Sequence, residues 1–493
     1  MRSLLKSLYG RLGFRTVRRL ISCFRILVGW TCVPRAKQVY SGSLSRVVNG
    51  VVVNGVATGE TPRHRSGNPP PCVLTLNTTV GRGGAAAVME TVRRGAFAHG
   101  WNTPLMVGHA DRTVLETAEN ARLLPVSPSN RFDRARLRCA ETVLGWQDYF
   151  RMGPFRLPEE EPFQKADLLH LHNLHGGWFS PFALPLLSAR KPTIWTLHDM
   201  HALTGHCAHS RDCERWREGC GRCPRLESAP PVFYDATDFV HADKKRLYEA
   251  CRLTVAVPSR WLMQIAREGI LGSQDIRLIY NGVDPRLFRP RDKRELRREL
   301  GVPEGATVLL FSAAGGKSNM WKGGMRYFSP LRKRLENEPG LFFISLGGGR
   351  ECRSCRERSL PYVHSRETMA KYYALSDLFV YPSLADNCPL GVLESMACGT
   401  PVVSFRTGGI PELVEHGKTG YLAEYGSLDD LHNGVMRLLR RDNDRDGMGT
   451  AARRTVLERF TEEKMIAAYL RLYEELLSSR DRNNKSPERS VAQ

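Results

Sequence analysis

Two acids, Asp386 and Glu394, stand eight positions apart with Pro389-Leu390-Gly391 between them. Carboxylates repel phosphate, so this pair suits hydroxyl groups, as on a ribose or a hexose. What lies between the acids suits the phosphate itself. Val392, Leu393, Met396 and Ala397 form the apolar side of a short helix, with Gly399 as its stop at positive φ. The helix N-terminus then falls near Leu390, where unpaired amides and the positive dipole end favour a diphosphate. Hydroxyls on either side of a diphosphate describe a nucleotide sugar. Lys317 and Lys322, five apart in the glycine-rich run Gly315 to Gly324, can reach one diphosphate from two sides. The plainer alternatives are an ordinary αβ crossover with surface acids and a solvated basic turn.

Cys207, Cys213, Cys220 and Cys223 fall within seventeen residues, with Gly219, Gly221 and Pro224 supplying turns. Four thiols so placed suit a tetrahedral structural Zn²⁺; unmetallated cysteines or two labile disulfides are the alternatives. Such an ion would brace a loop beside His198 and take no part in chemistry. His170, His172 and His175 lack a nearby carboxylate or cysteine pattern and read as cleft-lining or structural. Cys352 and Cys355 lack a second pair.

The elements that position these residues alternate strand and helix. Val73–Leu76 is a first strand, followed by Gly81-Arg82-Gly83-Gly84 and a helix from Ala85 to about His99. Asp167–His172 and Pro192–Leu197 read as buried parallel strands separated by a helix over Pro181–Ser188. His198 sits at the carboxyl end of the second, where open α/β sheets hold their ligands. Val255 onward and Ile276–Tyr280 close a first domain over 72–288, which contains the cysteine-rich loop 207–223. Val308–Ser312, Phe342–Leu346 (ending on Gly347-Gly348-Gly349) and Leu378–Pro382 belong to a second domain, 289–478, that ends in a helix over Glu462–Ser478. The tail 479–493 is polar and reads as disordered.

The block 383–420 resembles the Glu-x7-Glu motif of retaining family-4 glycosyltransferases, the group 1 type found in bacterial polysaccharide assembly. The wider resemblance covers about 72–478, through Pro258-Ser259-Arg260-Trp261, Asn281-Gly282-Val283-Asp284 and Lys322-Gly323. It implies two Rossmann-like α/β domains facing a cleft (the GT-B architecture), here behind a basic N-terminal extension. It also implies transfer of a glycosyl unit, a hexosyl unit by type, from a nucleoside diphosphate sugar to a glycan or lipid-linked acceptor, with retention and no required cofactor. Glu394 matches the acid that binds the ribose. Asp386 stands where the family has the sugar-contacting Glu. Lys317 stands where the family has Arg, keeping the charge without the bidentate fork. His198 matches the histidine beside the donor sugar, and Gly83-Gly84 the glycine loop facing the phosphates. Asn387, Pro389, Leu390 and Gly391 complete the implied donor site. Asp386, His198, Lys317 and Lys322 are its catalytic residues, the lysines aimed at charge on the leaving diphosphate. Retaining members of this architecture have no clear protein nucleophile, so none is assigned.

At 493 residues the chain is too long for one core and suits two α/β domains with extensions. Its formal charge of +21 is uneven: ten Lys and Arg precede Glu60, the first acid. No zinc-finger spacing, RNA-recognition signature or aromatic-basic interleaving points to nucleic acid. An anionic membrane surface or lipid-linked substrate fits better. Over 11–28, five arginines share one helical arc and Phe14, Val17, Leu20, Ile21, Phe24, Leu27 and Val28 the other, as in an interfacial helix; a disordered basic leader is the alternative. Residues 38–70 read as a flexible linker, so 1–71 form the extension. With no export signal, the thirteen cysteines fit the reducing cytoplasm, with peripheral attachment at the inner membrane face. Two other functions use a similar frame or site: a nucleotide-sugar epimerase, and a non-catalytic membrane-associated nucleotide-sugar-binding scaffold. A phosphorylase would need a pyridoxal lysine site, which has no signal here.

Overall fold

The computed structural model describes residues 69–485 except 82, 111–120, 124–136, 138–140, 142, 349–350, 355 and 441. The basic segment 11–28, the linker up to residue 68, Arg82, Gly349, Cys355 and the tail beyond Lys485 lie outside the described residues.

Continuous apolar runs are the sequence form of strands buried on both faces, and they build two seven-stranded sheets. The first holds β1 (Val73–Thr79), β2 (Leu105–His109), β3 (Ala121–Leu123), β4 (Leu168–Leu171), β5 (Thr193–Thr196), β6 (Thr254–Val257) and β7 (Asp275–Leu278). Its order is β3-β2-β1-β4-β5-β6-β7, all parallel. The second holds β8 (Thr307–Ser312), β9 (Leu341–Gly348), β10 (Cys352–Arg353), β11 (Glu357–Pro361), β12 (Leu378–Tyr381), β13 (Val402–Phe405) and β14 (Gly420–Ala423). Its order is β10-β11-β9-β8-β12-β13-β14, antiparallel only at the β10 edge. These are the two α/β sheets the sequence implies.

Alternate residues of each strand feed opposite cores. In the first sheet Leu74, Leu169, Trp195 and Val255 pack on one face. Val73, Leu168, Ile194 and Ala256 pack on the other, against Val88, Val92, Met465, Tyr469 and Tyr473. The last three belong to the terminal helix, Glu462–Lys485, so this helix packs back on the first sheet. Gly95 permits this approach, because a Cβ there would lie 2.6 Å from Ile466. The helix extends beyond Ser478, its expected end: Ser478 to Lys485 is polar but contains no proline or glycine to stop it. Among the described residues no helix is long and apolar enough to cross a membrane.

In each sheet the strand order reverses direction once, between β1 and β4 and between β8 and β12. Open α/β sheets bind ligands outside the carboxyl ends of strands at such a switch point. Gly83 and His172 follow β1 and β4; Lys317, Lys322 and Asp386 follow β8 and β12. Topology alone therefore gathers the chemistry-bearing residues.

Candidate active site

The helix between the two acids spans Leu390–Ala397 and starts at Pro389, whose φ of −69° and ψ of 121° are extended. Proline cannot cap with a side chain, and no side chain caps this helix. Gly399 stops it at φ 76°, as expected. Glu394 lies in its second turn, half-buried. Burial lifts its carboxyl to about 7, against the opposing pull of Arg366 and of a hydrogen bond from Tyr373. Gly391 is required here: a Cβ would lie 2.9 Å from the Tyr373 hydroxyl. Leu390 packs partly buried against both the second-sheet core and the terminal-helix core.

Asp386 is already engaged. Both its oxygens accept from Lys322 Nζ at 2.7 Å. Oδ2 also accepts from the hydroxyls of Tyr381 at 2.8 Å and Ser383 at 2.5 Å. Lys317 is likewise paired, with Glu357, which also faces Arg332 at 3.3 Å. Burial pushes Glu357 up, but Lys317 and Arg332 hold it below the usual carboxylate range. Both lysines expected on a diphosphate thus rest on protein carboxylates.

His198 follows β5, with Nε2 2.9 Å from His172 Nδ1 and the two rings stacked at 5.2 Å. Burial lowers His198 to about 4, so the ring is neutral near pH 7. Asp199, the nearest candidate partner in sequence, instead accepts from His175 Nε2 at 2.9 Å and from the His201 amide. Burial pulls His175 down, but Asp199 more than offsets it and its pKa ends up raised. His170 is structural: its ring nitrogens meet Tyr473 at 2.7 Å and Thr196 at 2.8 Å. Gly83 caps the helix Gly84–Ala98 at φ 84°, with open space where a Cβ of Gly83 or Gly84 would lie.

Several contacts hold the two sheets' domains together across the cleft. Asn387, expected on the donor, accepts from Ser259 Oγ at 2.5 Å and donates to the His198 carbonyl at 3.3 Å. It is buried and braces the cleft. Glu412 does more. Its carboxylate accepts the Trp261 and Arg260 amides at 2.8 Å each, at the N-terminus of the helix Arg260–Glu268, and the Tyr280 hydroxyl at 2.8 Å. Asn281 donates to the Cys388 carbonyl at 2.9 Å. Sequence spacing gave no sign of Glu412, because its partners lie 151 and 152 positions away.

The cysteine-rich loop also reaches the cleft. His209 stacks on Trp261 at 5.2 Å and 15°, and the Arg211 guanidinium lies 4.6 Å over the Trp321 ring in the lysine-bearing loop. His209 carries one signal in the sequence, its place two residues after Cys207, which by itself does not mark it as a site residue. The four thiols are unbonded and line one small cavity with Thr204, Trp216 and Thr237. Burial raises Cys207 to about 11 and Cys220 to about 12, which keeps them protonated. Gly219, Cys220, Gly221 and Arg222 all have positive φ, a tight wrap that turns the Gly205 amide onto Cys220 Sγ at 3.3 Å. Yet among the described residues no group of three or more His, Cys, Asp or Glu is placed to hold a metal ion.

Residues 82–287 match the family described as Glycosyltransferase Family 4, and residues 292–455 match Glycosyl transferases group 1. The N-acetyl-alpha-D-glucosaminyl L-malate synthase of Bacillus anthracis is 29% identical over 239 residues, 47% of this chain and 61% of that protein. The putative colanic acid biosynthesis glycosyl transferase WcaC of Escherichia coli is 28% identical over 265 residues, 51% of this chain and 63% of that protein. The chain thus spans about three fifths of the length of these relatives. Among solved structures, the sucrose-phosphate synthase of Thermosynechococcus elongatus superposes with a TM-score of 0.61 at 18% identity, covering 83% of this chain and all of that one. Anabaena HepE, solved with UDP and glucose, gives 0.58 at 17%, covering 82% of this chain and all of that one. At these identities the likeness is one of fold.

Proposed function

This chain belongs to the group 1, family 4 glycosyltransferases, and we propose that it moves a hexosyl unit from a nucleoside diphosphate sugar to a glycan or lipid-linked acceptor, with retention at the anomeric carbon. The observation that carries this reading is that Gly83-Gly84, His198, the two lysines and Asp386 all follow the carboxyl ends of strands in the two sheets, with an uncapped helix start at Leu390 just before Glu394. HepE, of the same fold, is solved with UDP and glucose, which supports a nucleotide sugar as donor.

In this reading Glu394 accepts the ribose hydroxyls, and the amides at the start of Leu390–Ala397 face the diphosphate. The diphosphate competes with Asp386 for Lys322 and with Glu357 for Lys317. Once Lys322 turns to phosphate, the Asp386 carboxylate is free to accept hexose hydroxyls. As the glycosidic bond breaks, negative charge grows on the departing diphosphate, where the lysines and the helix dipole meet it. Losing one such preorganised donor typically costs about 2.7–4 kcal/mol. His198, neutral and held by His172, positions the sugar from the opposite domain. The leaving phosphate takes the acceptor's proton on the same face, which accounts for retention without a protein nucleophile. A place in cell-surface polysaccharide or glycolipid assembly fits the basic N-terminal sequence and the relative named for colanic acid biosynthesis.

Donor hydrolysis and transfer with purified protein, using UDP-, GDP- and ADP-hexoses, tests the reading. Proton NMR of the product gives its anomeric configuration. Retained configuration is the expected result; inversion, or donor binding without any turnover, overturns it, and the second outcome favours the scaffold alternative.

A further inference from the structure

The loop 207–223 crosses the cleft to place one ring, His209, between the two domains. His209 Nδ1 accepts the Arg211 amide at 2.9 Å. A backbone N–H only donates, so this nitrogen carries no proton and the neutral ring carries it on Nε2. Burial lowers the ring to about 4, so the neutral form prevails near pH 7. His209 Nε2 is buried and has no hydrogen-bond partner. A buried donor left unpaired is costly, and such groups call for an occupant.

The surroundings say which occupant. Trp261 fixes the ring plane by stacking, and the Trp261 amide is itself held by Glu412. Charges that act on the ring include Asp386, Asp199 and Lys322. The two carboxylates are already engaged, Asp386 by Lys322, Tyr381 and Ser383, and Asp199 by His175 and the His201 amide. Neither takes the His209 proton.

We infer that His209 is a donor-contacting residue, its Nε2–H donating to an oxygen of the nucleotide sugar bound beside Asp386 and Lys322. This rests on the nucleotide-sugar reading above and adds to it a contact from the cysteine-rich loop. The loop is then part of the donor site, and Arg211, lying over Trp321, holds it against the lysine-bearing loop.

Calorimetry on the full-length protein with UDP, GDP, ADP and their glucose conjugates tests the inference. His209→Phe keeps the stack on Trp261 and removes the N–H; His209→Gln supplies an N–H from an amide. His209→Phe should weaken the best ligand of the panel about tenfold or more, while His209→Gln stays within about threefold of wild type. Equal weakening of nucleotide and conjugate places the oxygen on the diphosphate; weakening of the conjugate alone places it on the hexose. Unchanged binding by His209→Phe overturns the inference, as does parallel loss of binding and melting temperature in both variants, which marks a purely structural ring. Wild-type protein that binds none of the panel overturns the nucleotide-sugar reading itself and this contact with it.

Discussion

Lys322 Nζ lies 2.7 Å from each carboxylate oxygen of Asp386, so the two groups expected on opposite parts of one ligand rest on each other. The pair spans the switch point of the second sheet, joining the loop after β8 to the loop after β12. Its side chains are only 22% and 12% exposed, so water screens it weakly. In the proposed reaction a diphosphate must outbid a carboxylate for this lysine. On that reading, donor binding and release of Asp386 from Lys322 are one event.

That competition gives two opposite signs. Asp386→Asn keeps an acceptor for Tyr381 and Ser383 but releases Lys322. Free nucleoside diphosphate should then bind several-fold tighter by calorimetry, while turnover falls because the sugar loses its carboxylate. Lys322→Ala should lower kcat by about 10²–10³. Weaker diphosphate binding by Asp386→Asn would show that the ion pair does not compete with the ligand.

Glu394 gives a prediction in pH. Burial sets its folded pKa at about 7, against the ordinary 4.5 of a glutamate. The folded protein therefore holds this proton more tightly than the unfolded chain does. Its contribution to stability falls as pH rises from 4.5 to 7 and is constant above. Glu394→Gln should match wild type below pH 4.5 and gain about 2 kcal/mol above pH 7, with allowance for the residue's partial exposure. Denaturant melts across that range check it. Donor binding should move the other way: wild type tightens as the carboxylate ionises, and the Gln variant stays weak and flat with pH. Because ribose contacts act in ground and transition states alike, the Gln variant should lose KM before kcat.

The fold and the acidic motif were legible in the sequence for a common reason: both are local. Val402 to Phe405 and Leu378 to Tyr381 are continuous apolar runs, and the Leu390–Ala397 helix announces itself by a proline start, an apolar face and Gly399. What escaped was set by distant partners. Asp199 is adjacent to His198 in sequence yet pairs with His175, 24 positions away. Asn387, expected at the donor site, also accepts from Ser259, 128 positions away, which local sequence does not show. β3 has only three residues, too short to show a period. His209 acquires meaning only when Trp261 and Asp386 come together around it.

The contact between the two domains should depend on Glu412. Its carboxylate takes two amides at a helix N-terminus, where orphan donors and the dipole both favour an anion. Glu412→Ala leaves those amides and the Tyr280 hydroxyl without their acceptor. A loss of about 2 kcal/mol is expected, the order found for charge-assisted hydrogen bonds. Small-angle scattering should also show a larger radius of gyration. A variant that melts lower but keeps its radius would assign Glu412 to local stability alone. Glu412→Gln presents one oxygen and should fall between the two.

The last prediction concerns residues 1–60, whose ten Lys and Arg precede the first acid. All the cleft residues named above lie outside this segment, so its deletion should leave donor hydrolysis unchanged. Its charge should matter at a membrane. Each Lys or Arg near an anionic surface contributes about 1 kcal/mol, and the attraction fades as salt shortens the Debye length. Full-length protein should co-sediment with phosphatidylserine-containing vesicles at low salt and leave them in part at high salt. What stays bound at high salt should depend on Phe14, Val17, Ile21 and Phe24, since apolar burial is not screened. Replacing these four by Ser should then make release by salt complete. If full-length and truncated chains co-sediment equally, the basic segment has no membrane role.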